Sequence, residues 1–167
     1  MGGNTSNRSA LRIITRGKEA PSTKLFCGHC GKTPHPGAQP EDSRVCQACG
    51  LGLVLEAETN IAPGIRDPFL VVDHSLAVCA LSRESEKLLG IVETDAVHRH
   101  ISDFLSPGDA EQGSDALLSA LALAARGDSV VQNLIVRPRH TFGVRYWARI
   151  GHCGPPSAAL LVLADAR

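Results

Sequence analysis

Four of the six cysteines lie between residues 25 and 50, as Cys27-Gly28-His29-Cys30 and Cys46-Gln47-Ala48-Cys49, with fifteen residues between the two pairs. A CxxC turn points two thiolates at one ion. A second such turn completes the tetrahedral four-sulfur shell of a structural zinc. A glycine follows each pair, Gly31 and Gly50, which suits a tight knuckle whose backbone needs positive φ and N–H groups turned toward sulfur. Cys27, Cys30, Cys46 and Cys49 are therefore the candidate metal ligands, and zinc is the expected ion.

The same residues admit other chemistry. Iron in a rubredoxin-like sulfur cage is compatible with four thiolates. The first pair resembles, letter for letter, the CGHC redox motif of disulfide isomerases. That motif needs a helix N-terminus to acidify its first thiol, whereas here the pair runs into Lys32-Thr33-Pro34-His35-Pro36-Gly37, which cannot continue as a helix. Two ordinary disulfides would need an oxidising compartment, and the start of the chain lacks the apolar h-region of an export signal. His29 and His35 are each able to replace a sulfur, but with four cysteines present they read as bystanders.

Charge narrows the function classes. Lysine plus arginine equals aspartate plus glutamate at 17 each, so the whole chain carries no nucleic-acid signature. Residues 1–50 hold seven Lys/Arg against three acids, and the remainder ten against fourteen. The first part is thus mildly basic and the rest mildly acidic. No apolar run approaches the ~20 residues of a membrane span. With a metal-type cysteine pattern and no export signal, the cytoplasm is the expected location.

The elements that must position these cysteines can be read in order. Residues 1–24 are polar and read as a disordered basic tail. Residues 25–58 form the metal module, with a Pro-rich loop between the pairs and a short strand at Leu51–Glu56 after the second. About thirty residues cannot bury enough apolar surface to fold alone. Metal binding, worth ~10–16 kcal/mol in zinc-finger peptides, would supply most of its stability. Residues 59–67 read as a linker and 68–166 as a second domain. That domain opens with a hairpin of Pro68–Asp73 and Leu76–Leu81. A short helix, Arg83 to Leu89, follows between Ser82 as cap and Gly90 as stop. Thr94 or Asp95 starts an irregular helical stretch. Asp109 with Gln112 makes a capping box for a helix ending near Arg126. Strands follow at Ser129–Val136, around Phe142–Ile150, and at Ala158–Ala164. In the middle one Phe142, Val144, Tyr146, Ala148 and Ile150 alternate with Gly143, Arg145, Trp147 and Arg149, the period-2 pattern of a half-buried strand.

Two resemblances attach to these segments. The two CxxCG knuckles joined by a loop resemble the zinc-ribbon family, which implies flanking short strands and leaves the function open. Pro68-Phe69-Leu70-Val71-Val72-Asp73, Leu76-Ala77-Val78 and Ser82-Arg83-Glu84-Ser85-Glu86-Lys87-Leu88-Leu89-Gly90-Ile91 resemble the opening of the PAS family. Ile101-Ser102-Asp103-Phe104-Leu105-Ser106-Pro107-Gly108-Asp109 resembles its "i.d.l.p.D" segment. The resemblance implies an α+β fold with a five-stranded antiparallel sheet whose inner face and helices enclose a pocket or a packed core.

PAS domains hold haem, flavin, a small ligand or only their own side chains. The long helix lacks the axial histidine of haem-binding members, and Val97-His98-Arg99-His100-Ile101 stands where flavin-binding members carry an asparagine–cysteine–arginine motif. No PAS cofactor is expected. His98 and His100 are the one pair suggesting a ligand, and read as exposed or hydrogen-bonded histidines. Cys79 and Cys153 read as small hydrophobes on strands. Trp147 either covers core or marks a sheet face for homodimerisation.

These readings favour a non-enzymatic regulatory protein. In it a PAS domain senses a small ligand or mediates protein contacts, and the ribbon and tail contact a partner, because no output domain follows the last strand. The alternatives are a transcriptional regulator that binds nucleic acid through the ribbon and a CxxC thiol-disulfide oxidoreductase. The ribbon's few basic residues and single aromatic, Phe26, speak against the first. The absence of a nucleophile–base constellation or phosphate-cradling loop speaks against enzymes more widely.

Overall fold

The structure is a computed structural model that describes residues 22–34, 44–108, 113 and 115–165. The tail to residue 21, His35 and the Asp109–Gln112 pair lie outside these residues. The described strands form one antiparallel sheet in the order β1-β2-β7-β8-β3-β4, with β6 beside β7 and β5 beside β6. Their ranges are β1 Thr23–Cys27, β2 Val54–Glu58, β3 Phe69–Val72, β4 Val78–Leu81, β5 Leu105–Pro107, β6 Gln132–Pro138, β7 Tyr146–Gly154 and β8 Ala158–Asp165. The five strands implied by the PAS resemblance are present as β4-β3-β8-β7-β6. Among the described residues, helices α1 (Arg83–Leu89), α2 (Glu93–Ala96) and α3 (Ala116–Ala125) complete the α+β fold, with a 3-10 turn at Ile101–Asp103.

The ribbon strands belong to this same sheet. One edge of β7 pairs with β6 from Tyr146 to Ile150, and then with β2 at Cys153 and Gly154. Its other edge pairs with β8 over Tyr146–Cys153.

Two cores lie on opposite faces. On the inner face Leu117 and Leu121 of α3 pack with Ala148, Ile150, Leu161 and Leu163 of the sheet. On the outer face Phe26, Leu55, Ala57 and Ile61 pack with Phe69, Val71, Leu160 and Val162. The Phe26 and Phe69 rings meet edge to face at 5.7 Å between centroids, a geometry that adds ~0.5–1.5 kcal/mol beyond burial. This explains why Phe69–Val72 and Ala158–Leu163 are buried at every position: a strand covered on both faces has no solvent side to alternate with.

The hairpin and the first helix form as expected. Asp73 accepts the N–H groups of Ser75 and Ala77 at 2.8 and 3.0 Å to close the turn. Ser82 caps α1 by accepting from the Ser85 N–H at 3.2 Å, and Gly90 ends it in the left-handed region. Ser82 also accepts the Phe69 N–H, while the Ser85 hydroxyl donates to the Phe69 carbonyl, both at 2.9 Å. Two buried serines thus fix α1 to the start of β3.

Several boundaries differ from expectation. Thr23 and Lys24 belong to β1 rather than to the tail. Leu51 and Gly52 form a bend, Leu53 makes an isolated antiparallel bridge to Val45, and the strand starts at Val54. Within residues 59–67, Ile61 is fully buried over Gly151. β6 starts at Gln132, because Asp128 accepts the Val130 N–H at 3.0 Å and holds the chain in a turn. β7 starts at Tyr146, Phe142 is wholly exposed in a turn, and Leu105–Pro107 adds a short strand, β5, within the segment that resembles the PAS "i.d.l.p.D" stretch. The alternation itself holds: Tyr146, Ala148 and Ile150 face the inner core, and Trp147 lies opposite Ile135 on the other face.

Candidate metal centre

The first knuckle grows from the end of β1, the second from the turn that leads into β2. In each, the glycine after the pair turns its N–H back to the carbonyl of the first cysteine: Gly31 to Cys27 at 2.9 Å and Gly50 to Cys46 at 2.7 Å. Both glycines have positive φ, 69° and 70°, as the sequence implied. The N–H groups that face the Cys27 sulfur are instead those of His29 and Cys30, each at 3.4 Å.

The four Sγ atoms of Cys27, Cys30, Cys46 and Cys49 lie within 4.8 Å of one another. Cys27 and Cys49 are 3.6 Å apart and Cys30 and Cys46 3.9 Å. A tetrahedral ion with metal–sulfur bonds of ~2.3 Å requires sulfur–sulfur edges of about 3.8 Å. The same spacing is far beyond the ~2.05 Å of a disulfide. These four thiols fit one thiophilic ion.

The backbone around the site is arranged for negative sulfur. For Cys49, burial would raise the thiol, but N–H groups of Gly52 and Leu51 and the thiols of Cys27 and Cys30 outweigh it and bring it down to about 6. Burial pushes the Cys27 and Cys30 thiols up instead. A metal would supply the positive charge that lets the others ionise.

Gly52 lets the two knuckles close. A Cβ there would stand 2.5 Å from the Cys27 Sγ and 2.7 Å from the His29 nitrogen. Gly52→Ala is expected to weaken metal binding at least ~10-fold, the scale on which groups supporting metal ligands act. Competition with a chromophoric chelator measures it, and unchanged affinity would show that the knuckles are not held this closely.

His29 is not a ligand in this arrangement, yet it is no mere bystander. The side chain is buried, with Nδ1 3.0 Å from Glu93 Oε2 and Nε2 accepting from Arg83 Nε at 3.3 Å. An arginine nitrogen only donates, so the ring proton sits on Nδ1 and is donated to Glu93. The other Glu93 oxygen accepts the Leu81 N–H at 2.9 Å. The first knuckle is thereby tied to α1, α2 and the end of β4. On the second, Arg44 donates to the Val54 carbonyl at 3.1 Å and to the Pro155 carbonyl. Neither link was read from the sequence, because their partners lie 64 and 111 residues away.

The remaining candidates separate. His100 caps the 3-10 turn, its Nδ1 2.7 Å from the Ser102 hydroxyl. His98 is exposed at φ 69° on the rim of a groove of about 700 Å³ between ribbon and sheet, lined also by Leu53, Leu55, Val71 and Val97. The structure thus does not join the two histidines in one site. Cys79 is exposed, and Cys153 is buried, its thiol pushed up to about 12 by that burial.

No protein-family model matches the sequence, nor does any curated protein. Among solved structures, the chain is similar to the PAS domain of an HTR-like protein from Haloarcula marismortui: 18% identity, TM-score 0.44, covering 59% of this chain and 80% of that one. It is also similar to the PAS domain of the quorum-sensing receptor RpfR from Cronobacter turicensis, solved in complex with BDSF, with 14% identity, TM-score 0.46, and coverage of 64% and 100%. A third is the PAS domain of nitrogen regulation protein NR(II) from Vibrio parahaemolyticus, with 15% identity, TM-score 0.41, and coverage of 60% and 90%. By its own strand order and helices, this chain has a PAS-like fold with a ribbon-like four-cysteine site built into the same sheet.

Proposed function

We propose that this is a non-enzymatic regulatory protein of the cytoplasm. Zinc held by Cys27, Cys30, Cys46 and Cys49 is structural, and the protein acts in signalling through contacts with a protein partner. The observation that carries this reading is the addition of β2 to β7, which ties the knuckles to the sheet through backbone pairing. Leu117, Leu121, Ile150 and Leu161 fill the inner space between α3 and the sheet, which favours action by contacts over an internal cofactor. Partner binding is supported by exposed Leu51, Leu53 and Val45 around the second knuckle, at 68%, 49% and 41% exposure, next to the apolar junction groove.

The other two readings have less support. For nucleic acid, the Arg44 guanidinium is engaged by the Val54 and Pro155 carbonyls, and Phe26, the ribbon's aromatic, is fully buried. For thiol-disulfide exchange, Cys27 ends a strand and its thiol is pushed up by burial, opposite to what an attacking thiol needs. Among the described residues no helix is long and apolar enough to cross a membrane.

Elemental analysis with a visible spectrum of protein purified without added metal tests the centre. One zinc per chain and no visible band is expected. A sulfur-to-iron band would replace a structural site with an electron-transfer site and overturn the reading.

A further inference from the structure

The edge of β7 has a notch. Its ladder with β6 ends at the Gln132–Ile150 pair and its ladder with β2 begins at the Ala57–Cys153 pair, leaving Gly151 and His152 without a ladder partner on that edge. A cleft of about 450 Å³ opens there, within the ~300–1,000 Å³ range of binding clefts. Ala57, Ile61 and Val131 give it apolar walls, Glu56 and Glu58 stand among its lining, and the described lining residues include neither lysine nor arginine. Glu56 accepts from the Thr23 hydroxyl and Glu58 from the Asn60 amide. Among the described residues neither carboxylate has a cationic partner.

Thr23, the first residue of β1, lines the same cleft. The sequence that precedes it carries Arg8, Arg12, Arg16 and Lys18 against a single acid, Glu19, and one apolar group, Leu11, Ile13 and Ile14, interleaved with Arg12. Ile14 stands nine residues before Thr23, a span of up to ~30 Å when extended, ample to turn back to the cleft.

We propose that this cleft is the docking site of the chain's own segment Leu11–Arg16, with Ile13 and Ile14 against the apolar walls and Arg12 and Arg16 at Glu56 and Glu58. Unpaired carboxylates beside an apolar wall select a segment that is both cationic and apolar, and an acidic or purely polar one gains nothing there. An extended segment also finds free backbone at the notch, the means by which peptides add to sheet edges. Exposed ion pairs are individually weak. A covalently attached segment, however, is present at an effective concentration of ~mM, so a weak site suffices in the chain that carries it.

Photo-crosslinking of the full-length chain tests this, with benzoylphenylalanine in place of Ile13 and products mapped by mass spectrometry. Crosslinks within one chain to Ala57, Ile61 or Val131 are expected. Their yield should fall several-fold in the double variant Glu56→Gln, Glu58→Gln, and in ~0.5 M salt, where the Debye length is only a few ångströms. Circular dichroism and metal content of that variant should be unchanged. Equal yield in the neutral variant, crosslinks scattered over the surface, or crosslinks only between two chains would each overturn the proposal. The metal content reports on the proposed centre independently.

Discussion

Cys46→Ser, or removal of the metal by a chelator, is expected to unfold far more than the two knuckles. In a ribbon tethered by a flexible linker the loss would stay local, and the larger domain would melt as before. Here Cys27 ends β1, and β1 and β2 place Phe26, Leu55 and Ala57 on the outer face of the sheet. Metal binding in small modules is worth ~10–16 kcal/mol of folding free energy. Without it the knuckles have few apolar contacts to hold them. Releasing the ribbon uncovers Phe69, Val71, Leu160 and Val162, all now buried. The expected result is a fall in stability of more than ~3 kcal/mol in urea, comparable to deleting a large core side chain, with increased binding of a hydrophobic dye. The metal must displace protons from thiols, so its affinity rises with pH and the effect of a given chelator concentration grows as pH falls. An unfolding midpoint that stays put while the metal is lost would show that the sheet does not depend on the ribbon.

Phe26→Ala carries the second large effect and separates packing from ligation. Phe26 is not among the four candidate ligands, is fully buried, and meets Phe69 edge to face across the junction. Truncating a buried phenylalanine costs ~3–5 kcal/mol, a large part of the ~5–15 kcal/mol that holds a domain together. The destabilisation is expected in a single transition, seen at the same denaturant concentration by Trp147 fluorescence and by thiol accessibility of the four cysteines. Two separated transitions, with the fluorescence change unmoved, would mean that ribbon and sheet fold independently.

Much of the architecture is legible in local sequence. The CxxCG repeats specify their own geometry, because a glycine in the left-handed region is needed to turn each knuckle. Ser82 and Gly90 bound α1 as caps do anywhere. Where registers shift, tertiary pairing has overridden local preference. Val130 and Val131 favour strand by type, but Asp128 holds their backbone in a turn and the ladder with β7 begins at Gln132. The unbroken apolar runs at Phe69–Val72 and Ala158–Leu163 fit a sheet covered on both faces. What covers the second face is not local information: His29 and Glu93 are 64 residues apart, and Ala57 of β2 pairs as far away as Cys153 of β7. His29 inside a ligand motif, and Arg44 beside one, carry no mark that separates a bridge from a bystander.

The shared edge of β7 has a mechanical consequence. A module on a linker can swing, so a partner that grips it feels nothing of the body behind. A module whose strand is laddered to the body's own sheet has no hinge. Any change in twist at Cys153 and Gly154 must reappear at β2, and through β1 at the first sulfur pair. A partner seated on the second knuckle would therefore read the curvature of the sheet as a displacement of its own contact surface, with the ribbon acting as a stiff pointer.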